Sequence, residues 1–143
     1  MCEILAVGYN DFMLLGEGWH ERSVDARSGV VYRPSKARAE FWLNVSEKHK
    51  AINLLLSASP TLIREKINFR LACGEKTIGE TRIEDDDWHL VTFPLPAEVS
   101  AEGKQKLKFT LSVSPTFIPH LVLHNGDFRE LGVYLSAVRL LKE

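Results

Sequence analysis

The chain has 143 residues, of which 45% are hydrophobic and 26% are charged, as in a globular protein, which excludes a disordered or fibrous chain. Because 18 basic and 19 acidic residues give a net charge of −1 and no stretch concentrates Lys and Arg, nucleic acid is not an expected partner. The N-terminus lacks the features of a signal peptide, and no segment approaches the roughly 20 apolar residues of a membrane span. We therefore expect a cytoplasmic protein that does not associate with membranes, with residues 1–143 forming one domain.

Alternation of apolar and polar residues is the main pattern and predicts β-strands with one solvated face. It is clearest in residues 66–74 and 106–114, where Ile67, Phe69 and Leu71 alternate with polar residues, as do Phe109 and Leu111. Weaker strands are predicted, in chain order, at 30–33, 37–45, 51–58, 76–83, 88–95 and 131–141. Eight short strands separated by turn-forming residues predict an all-β fold, an antiparallel two-sheet β-sandwich of jelly-roll or galactose-binding-like topology.

Local signals refine this prediction. Residues 73–76, which include Gly74, indicate a tight hairpin, and a change of apolar parity within 131–141 indicates a β-bulge. Single helical turns are predicted at 60–66 and 97–105. Cys73 falls on the apolar side of its strand and is expected to be a buried thiol, although a pairing with Cys2 stays open.

A first polar loop, at residues 16–21, combines two glycines with Trp19, His20 and two carboxylates, one of them Glu21. Such a loop suits saccharide binding, in which the indole ring stacks on an apolar sugar face while the polar groups bond hydroxyls. Alternatively, Trp19 closes one end of the sandwich and the polar side chains are solvated.

A second polar loop, at 124–129, holds Asn125, Asp127 and Arg129. Asn-Gly favours positive φ and predicts a tight turn, with the Asp127 carboxylate capping turn amides. The Arg129 guanidinium then either forms a structural ion pair or reaches a carboxylate such as Glu21 or a ligand hydroxyl. If the two loops meet at one rim of the sandwich, they form the best candidate binding site.

Other polar groups are interpreted as structural. Residues 84–87 supply four carboxylates, but their spacing is not that of an EF-hand and a solvated turn is expected, with calcium binding left open. His120 and His124 would share a helix face, but Pro119 and the β context argue against a helix and hence against a metal site. We expect no cofactor.

Catalytic motifs are not found. The sequence has no G-x-S-x-G, no P-loop and no H-x-H pair, so we expect a protein that is not an enzyme. Glycoside cleavage would require Glu17, Glu21 and Asp127 to converge as paired carboxylates, and the sequence gives no separation between them.

The two loops, with the segment from Asp127 to Leu135, resemble a bacterial family of β-sandwich domains that accompany glycosyltransferases of surface-polysaccharide synthesis. The resemblance runs from about Gly16 to Leu141. In that family an aromatic–basic pair follows the opening loop, and Tyr32-Arg33 is the nearest match. The resemblance implies a non-catalytic accessory module for polysaccharide biosynthesis, similar to carbohydrate-binding sandwiches, with the transferase supplied by another chain.

Two functions are therefore expected. The first is saccharide or polysaccharide binding by six residues of the two loops, with Trp42 or Trp88 as further stacking platforms; the six are Trp19, His20, Glu21, Asn125, Asp127 and Arg129. The alternative is a module for protein interaction or homo-oligomerisation without a small ligand, through a sheet face or an edge strand. Trp42 shares parity with polar residues of its strand and is expected on the outer face.

Overall fold

The computed structural model describes residues 4–100 and 105–142, and all structural statements below concern these residues. They form ten strands and four short helices. In chain order these are β1 (Ile4–Ala6), α1 (Asp11–Leu14), β2 (Ser23–Val24), β3 (Val31–Pro34), β4 (Arg38–Val45), β5 (Ala51–Ser57), α2 (Pro60–Ile63), β6 (Ile67–Cys73), β7 (Lys76–Ile83), β8 (His89–Pro94), α3 (Ala97–Ser100), β9 (Gln105–Ser114), α4 (Pro119–Leu123) and β10 (Tyr134–Leu141).

The strands form two antiparallel sheets. One has six strands in the order β2-β3-β10-β5-β8, with β1 also paired to β10. On one side, β10 pairs along its full length with β5. On its other side, the start of β10 pairs with β3 and its later part pairs with β1. The second sheet has four strands in the order β4-β9-β6-β7.

The core lies between the two sheets because each strand alternates apolar and polar residues. Phe41 of β4 pairs in register with Phe109 of β9, and their rings stack with centroids 5.3 Å apart. Phe69 of β6 stacks across the core on Phe93 of β8 at 6.4 Å. The predicted all-β, antiparallel two-sheet sandwich is confirmed.

The predicted strands all occur, with ends displaced by a few residues at most, and Lys76–Ile83 has the predicted bounds. The hairpin at 73–76 is present, with Gly74 at φ 60°, and the predicted bulge in the last strand lies between Leu135 and Ala137. Short helices occupy Pro60–Ile63 and Ala97–Ser100, as predicted, whereas positions 101–104 of the second prediction lie outside the described residues.

One sequence interpretation was wrong. Pro119 does not prevent a helix but begins one, α4, because proline at the first helical position needs no amide partner and has a helical φ. The short strands β1 and β2 and the single-turn helix α1 were not predicted. They are too short to show a periodic pattern.

Cys73 is half buried rather than fully buried, and burial raises the pKa of its thiol. Its proposed partner Cys2 lies outside the described residues. Trp42 is on the outer face of β4, as parity predicted, although it is partly covered, and the Lys106 ammonium lies 5.7 Å from its ring centre. No helix in residues 4–100 or 105–142 is long and apolar enough to cross a membrane.

Candidate functional site

Three aromatic side chains meet at one end of the outer face of the six-stranded sheet. Leu135 is fully buried, so its neighbour Tyr134 projects outward. Tyr134 pairs in register with Pro34, and Tyr32 lies two residues from Pro34 on the same face of β3. The third ring, Trp88, comes from the residue immediately before β8.

The three rings form a connected group around Tyr32. Its ring centre lies 5.7 Å from that of Trp88, with the planes inclined at 56°, and 5.1 Å from that of Tyr134, at 49°. Tilted contacts of this kind are favourable for aromatic rings. All three side chains are partly exposed, so ring surface remains open to solvent.

The rings border a cleft of about 360 Å³. Its remaining walls come from the β2–β3 turn, the end of β5 and the turn before β8; they are Asp25, Arg27, Ser28, Ser57, Ala58, Ser59, Asp86 and Asp87. The volume is within the range of clefts that bind small molecules. An aromatic group with carboxylates, hydroxyls and one guanidinium beside it offers both apolar contact and hydrogen bonding.

Asp25 fixes the indole ring of the cleft. Its carboxylate accepts hydrogen bonds from Trp88 Nε1 at 3.0 Å and from the Ser28 hydroxyl at 2.6 Å. These bonds, with that from Ser28 the stronger, hold the pKa of Asp25 below its ordinary value. The ring is therefore held in place before any ligand arrives.

Hydrogen bonds also fix the floor and the opposite wall. The Ser57 hydroxyl donates to the backbone carbonyls of Asp86 and Asp87, at 3.2 and 2.9 Å. The Tyr134 and Ser59 hydroxyls are 2.7 Å apart, and burial raises the pKa of the Tyr134 phenol. The cleft is a pre-formed feature of the fold.

Trp19, from the first predicted loop, has a structural position. Its Nε1 donates to the Glu40 carbonyl at 2.7 Å, its backbone bridges to Ser35, and its ring packs against the core. The preceding segment runs along the edge of β4, where the amide of Gly16 donates to the same Glu40 carbonyl at 2.8 Å. Trp19 closes the sandwich at this edge.

His20 joins the two predicted loops, which do lie side by side. Its Nε2 is 2.6 Å from the carbonyl oxygen of Glu130, and its ring is near enough to Asp127 to affect the pKa of that carboxyl. The backbone carbonyl of His20 accepts a bond from Arg33, whose Nε also binds Asp11 at 2.6 Å. Arg33 thus anchors the first loop from below. Glu21 is exposed.

The second loop is organised around Asp127. The side-chain oxygen of Asn125 accepts a hydrogen bond from the Asp127 amide at 3.0 Å, and the Asp127 carboxylate accepts one from the Arg129 amide at 3.1 Å. These two bonds form the predicted tight turn. The Arg129 guanidinium makes two bonds to the Asp127 carboxylate, at 2.9 and 2.7 Å. The bonds from Arg129 are the main cause that lowers the pKa of Asp127 to about 2.

Arg129 connects this rim with the aromatic cleft. The pKa of Arg129 is raised mainly by the bonds to Asp127, with smaller contributions from the Tyr32 and Tyr134 phenols of the cleft. The predicted rim and the cleft are therefore neighbouring parts of one surface. Of the cleft aromatics, the sequence had suggested Trp88 as a stacking platform and Tyr32 as part of a pair, but not Tyr134.

Three carboxylates of the acidic turn are engaged within the protein, among them that of Glu84, which binds Lys66 at 3.2 Å. Asp86 accepts bonds from the amide and the hydroxyl of Thr61 at the start of α2, and Asp85 accepts bonds from Asp87 and His89. No group of three or more His, Cys, Asp or Glu side chains within residues 4–100 and 105–142 is placed to hold a metal ion. Residues 85–87 form bends between β7 and β8, so the turn predicted from the sequence is present.

His120 is the second residue of α4, and His124 is the C-cap residue that follows it. The Nδ1 atom of His120 accepts the amide of Gly126 at 2.8 Å, and the two rings meet edge-on with centres 6.0 Å apart. The His120 ring also packs on Phe128 at 4.3 Å. These contacts organise the loop that leads to Asp127.

Comparison with known proteins gives a fold relationship only. No protein-family model matches the chain, and no curated protein sequence matches it. Solved structures that resemble it include a carbohydrate-binding module of family CBM36 in complex with calcium and xylotriose, with a TM-score of 0.53, 10% identity, and coverage of 96% of this chain and 98% of that one.

Two further structures are similar. One is the C-terminal CBM6 domain of the laminarinase LamC from Zobellia galactanivorans, with a TM-score of 0.53, 11% identity, and coverage of 96% of this chain and 98% of the other. The other is the CBM36-1 domain of a xylanase from the hindgut metagenome of Trinervitermes trinervoides, with a TM-score of 0.53, 10% identity and 96% and 94% coverage. The chain is a two-sheet β-sandwich, and its fold is that of carbohydrate-binding modules.

Proposed function

We propose that this protein is a non-catalytic module that binds a saccharide in the aromatic cleft, and that Asp127 and Arg129 extend the site along the rim. The observation that carries the proposal is the meeting of Tyr32, Trp88 and Tyr134 around a pre-formed cleft with polar walls. Saccharides present apolar C–H faces to aromatic rings and hydroxyls to polar groups at the same time.

Pre-organisation favours affinity in this cleft. Trp88 is held by Asp25, and the Asp86 and Asp87 carbonyls are held by Ser57, so binding orders few protein groups. The Arg129 guanidinium keeps donor hydrogens beyond those given to Asp127, because guanidinium carries five. These donors suit the hydroxyls or a carboxylate of a sugar that projects beyond the cleft.

The wider role we propose is that of an accessory module, in the cytoplasm, for a glycosyltransferase of polysaccharide synthesis. The carbohydrate-binding fold supports binding, and the resemblance of residues 16–21 and 127–135 to accessory domains suggests the partner. Co-purification of the tagged protein with a glycosyltransferase, and loss of that association after mild competition with oligosaccharide, would test this role.

The binding proposal is tested by a glycan array followed by calorimetric titration of the best ligands. We expect Trp88→Ala to weaken binding by about tenfold or more, since an aromatic contact contributes about 0.5–1.5 kcal/mol beyond its buried area. The matched control, titrated with uncharged glycans that do not engage the basic residues around it, is Trp42→Ala, which removes a partly exposed indole from the other sheet. Absence of binding to any glycan, or an equal loss in both variants, would contradict the proposal.

The predicted rim is tested separately, with Asp127→Ala and Arg129→Gln. If the site extends along the rim, both variants weaken glycan binding, as Trp88→Ala does. If the ion pair is purely structural, affinity is unchanged and the cleft alone binds. Trp19→Ala is a poor probe, because the Trp19 indole donates to the β4 backbone and packs on the core.

An oligomerisation module is the alternative function, favoured by exposed apolar side chains in α1 and in and after α4. Phe12 is 77% exposed, Leu121 70% and Phe128 67%. Exposed apolar groups of this size often mark interaction surfaces. Sedimentation velocity of the protein and of Phe12→Ser and Leu121→Ser variants tests this function, and a strict monomer in all three argues against it.

A further inference from the structure

The outer face of the four-stranded sheet gathers basic side chains that are scattered along the sequence. Alternation places every second residue of each strand on this face. The cationic residues among them, from all four strands, are Arg38, Arg70, Arg82, Lys106 and Lys108. All five are exposed.

Three of the described carboxylates share this face with the five cations and Lys66, and one of them, Glu84, lines the groove of this face and binds Lys66 at 3.2 Å. Glu40 binds Lys108 at 3.3 Å, and Glu80 lies 3.7 Å from Arg70. The face therefore has an excess of three positive charges, although the whole chain has a net charge of −1. Because the rest of the protein surface is slightly acidic and repels anions, an anionic ligand would be directed to this positive face.

Register brings two guanidinium groups onto one row of the sheet. Arg38 of β4 pairs with Ser112 of β9, and Ser112 pairs on its other side with Arg70 of β6. With strands about 4.8 Å apart, the two arginine backbones are separated by about 10 Å, with a short hydroxyl side chain between them. The Arg70 guanidinium donates to Thr77 and lies beside Glu80, both on β7, so an anionic group on this row would contact Arg38 directly and would compete with these β7 groups for Arg70.

A shallow groove continues from this row. It has a volume of about 630 Å³ and is lined by side chains of β6, β7 and the end of β9, among them Asn68, Arg82 and Ser114. Arg82 donates to Asn68 at 3.4 Å, which is a long bond that a better acceptor can replace. Within the described part of the chain, the Arg38 guanidinium has no hydrogen-bond or ion-pair partner.

We propose that this basic face, Arg38, Arg70, Arg82, Lys106 and Lys108 with the polar residues between them, binds an acidic polysaccharide through its carboxylate or sulfate groups. Guanidinium groups recognise both anions with paired hydrogen bonds. The site lies on the sheet opposite the aromatic cleft, so it is a second site and does not depend on saccharide binding there.

The face suits a sparsely charged, hydroxylated polymer better than a nucleic acid. Thr110, Ser112, Ser114, Asn44 and Asn68 supply groups that exchange hydrogen bonds with hydroxyls. A nucleic acid has a charge at every nucleotide and needs stacking platforms for its bases. Among the described residues, this face offers Trp42 as its aromatic platform and includes three carboxylates that repel phosphate, those of Glu40, Glu80 and Glu84.

The experiment is affinity electrophoresis and calorimetry at low salt with three polymers: polygalacturonate for carboxylates, dextran sulfate for sulfates, and uncharged dextran. We expect binding of one or both acidic polymers, none of dextran, and weakening by salt. Arg38→Gln/Arg70→Gln should reduce the affinity by about tenfold or more, since it removes both groups of the row. Preference between the two acidic polymers identifies the anion.

The matched control is Lys48→Gln/Arg139→Gln, which removes the same charge from exposed positions outside this face. If Arg38→Gln/Arg70→Gln fails to fold, Lys106→Gln/Lys108→Gln replaces it, because both lysines are exposed. Equal weakening in the control, no binding of either acidic polymer, or equally tight binding of duplex DNA would overturn the proposal. Trp88→Ala should leave this binding unchanged, which separates it from the cleft.

Discussion

Replacement of Asp11 by alanine should destabilise the fold far more than its position in a short N-terminal turn suggests. Asp11 is only 4% exposed, and both of its oxygens are bonded, Oδ1 to the Gly8 amide at 2.9 Å and Oδ2 to Arg33 Nε at 2.6 Å. Breaking a buried pair costs about 3–5 kcal/mol, and Arg33 retains some contact with water. We therefore expect a loss of about 2–4 kcal/mol.

The effect of pH on this contribution has a definite sign. Burial raises the pKa of Asp11, but the bonds from Arg33 and Gly8 outweigh burial, so the pKa is lower in the native protein than in the unfolded chain. The stabilisation is therefore fully present above about pH 4 and decreases as the pH falls through the native pKa. The difference in stability between the parent and Asp11→Ala should narrow in acid.

Thermal unfolding followed by circular dichroism measures both effects. For a chain of this length, 1 kcal/mol corresponds to roughly 3–5 °C, so Asp11→Ala should lower Tm by about 10 °C. The control is Glu98→Ala, which removes an exposed ion pair with Lys76 and should change Tm little. If Asp11→Ala is no more destabilising than Glu98→Ala, the buried clamp is not a significant source of stability.

Three further variants test other parts of the structure. Gly18→Ala should prevent or strongly impair folding, because a Cβ at this positive φ would lie 2.0 Å from a β4 carbonyl oxygen, and a normal melting curve would contradict the backbone geometry. Ser35→Ala should cost about 1–3 kcal/mol in urea unfolding, since it leaves the buried Val133 amide unpaired, and a neutral result would mean that another acceptor replaces it. Carboxyl NMR should give Asp127 a pKa of about 2, and Arg129→Gln should raise that pKa towards its ordinary value; an unchanged pKa would refute the ion pair.

The fold was predictable where side-chain alternation is long enough to be read. Residues of β6 and β9 alternate over seven and ten positions, and the parity change in β10 does correspond to a bulge. Helix α4 was missed because Pro119 was interpreted as a helix breaker and not as a first helical residue. Three-residue β1 offers too little sequence for any pattern, and its pairing with β10 is non-local.

The site was predictable only in part, because parity gives the face of a side chain but not the neighbouring strand. The sequence left open whether the two polar loops adjoin, and in the structure His20 contacts Glu130, next to the second loop. Tyr32 and Tyr134 are about a hundred positions apart, and only the pairing of β3 with β10 brings their rings together. The same reason hides the basic face, whose cations never occur as a run in the sequence.

The structure also changes the meaning of the acidic residues near the cleft. In the sequence, the run at 84–87 offers four carboxylates that could bind calcium, although a solvated turn is expected there. In the structure, Asp25 orients Trp88 and Asp86 holds the start of α2, so these carboxylates build the walls. The surface left available to a ligand combines the three rings with polar groups, among them Arg27 and the exposed Asp87, and selectivity for a saccharide would therefore depend on both ring stacking and hydrogen bonding.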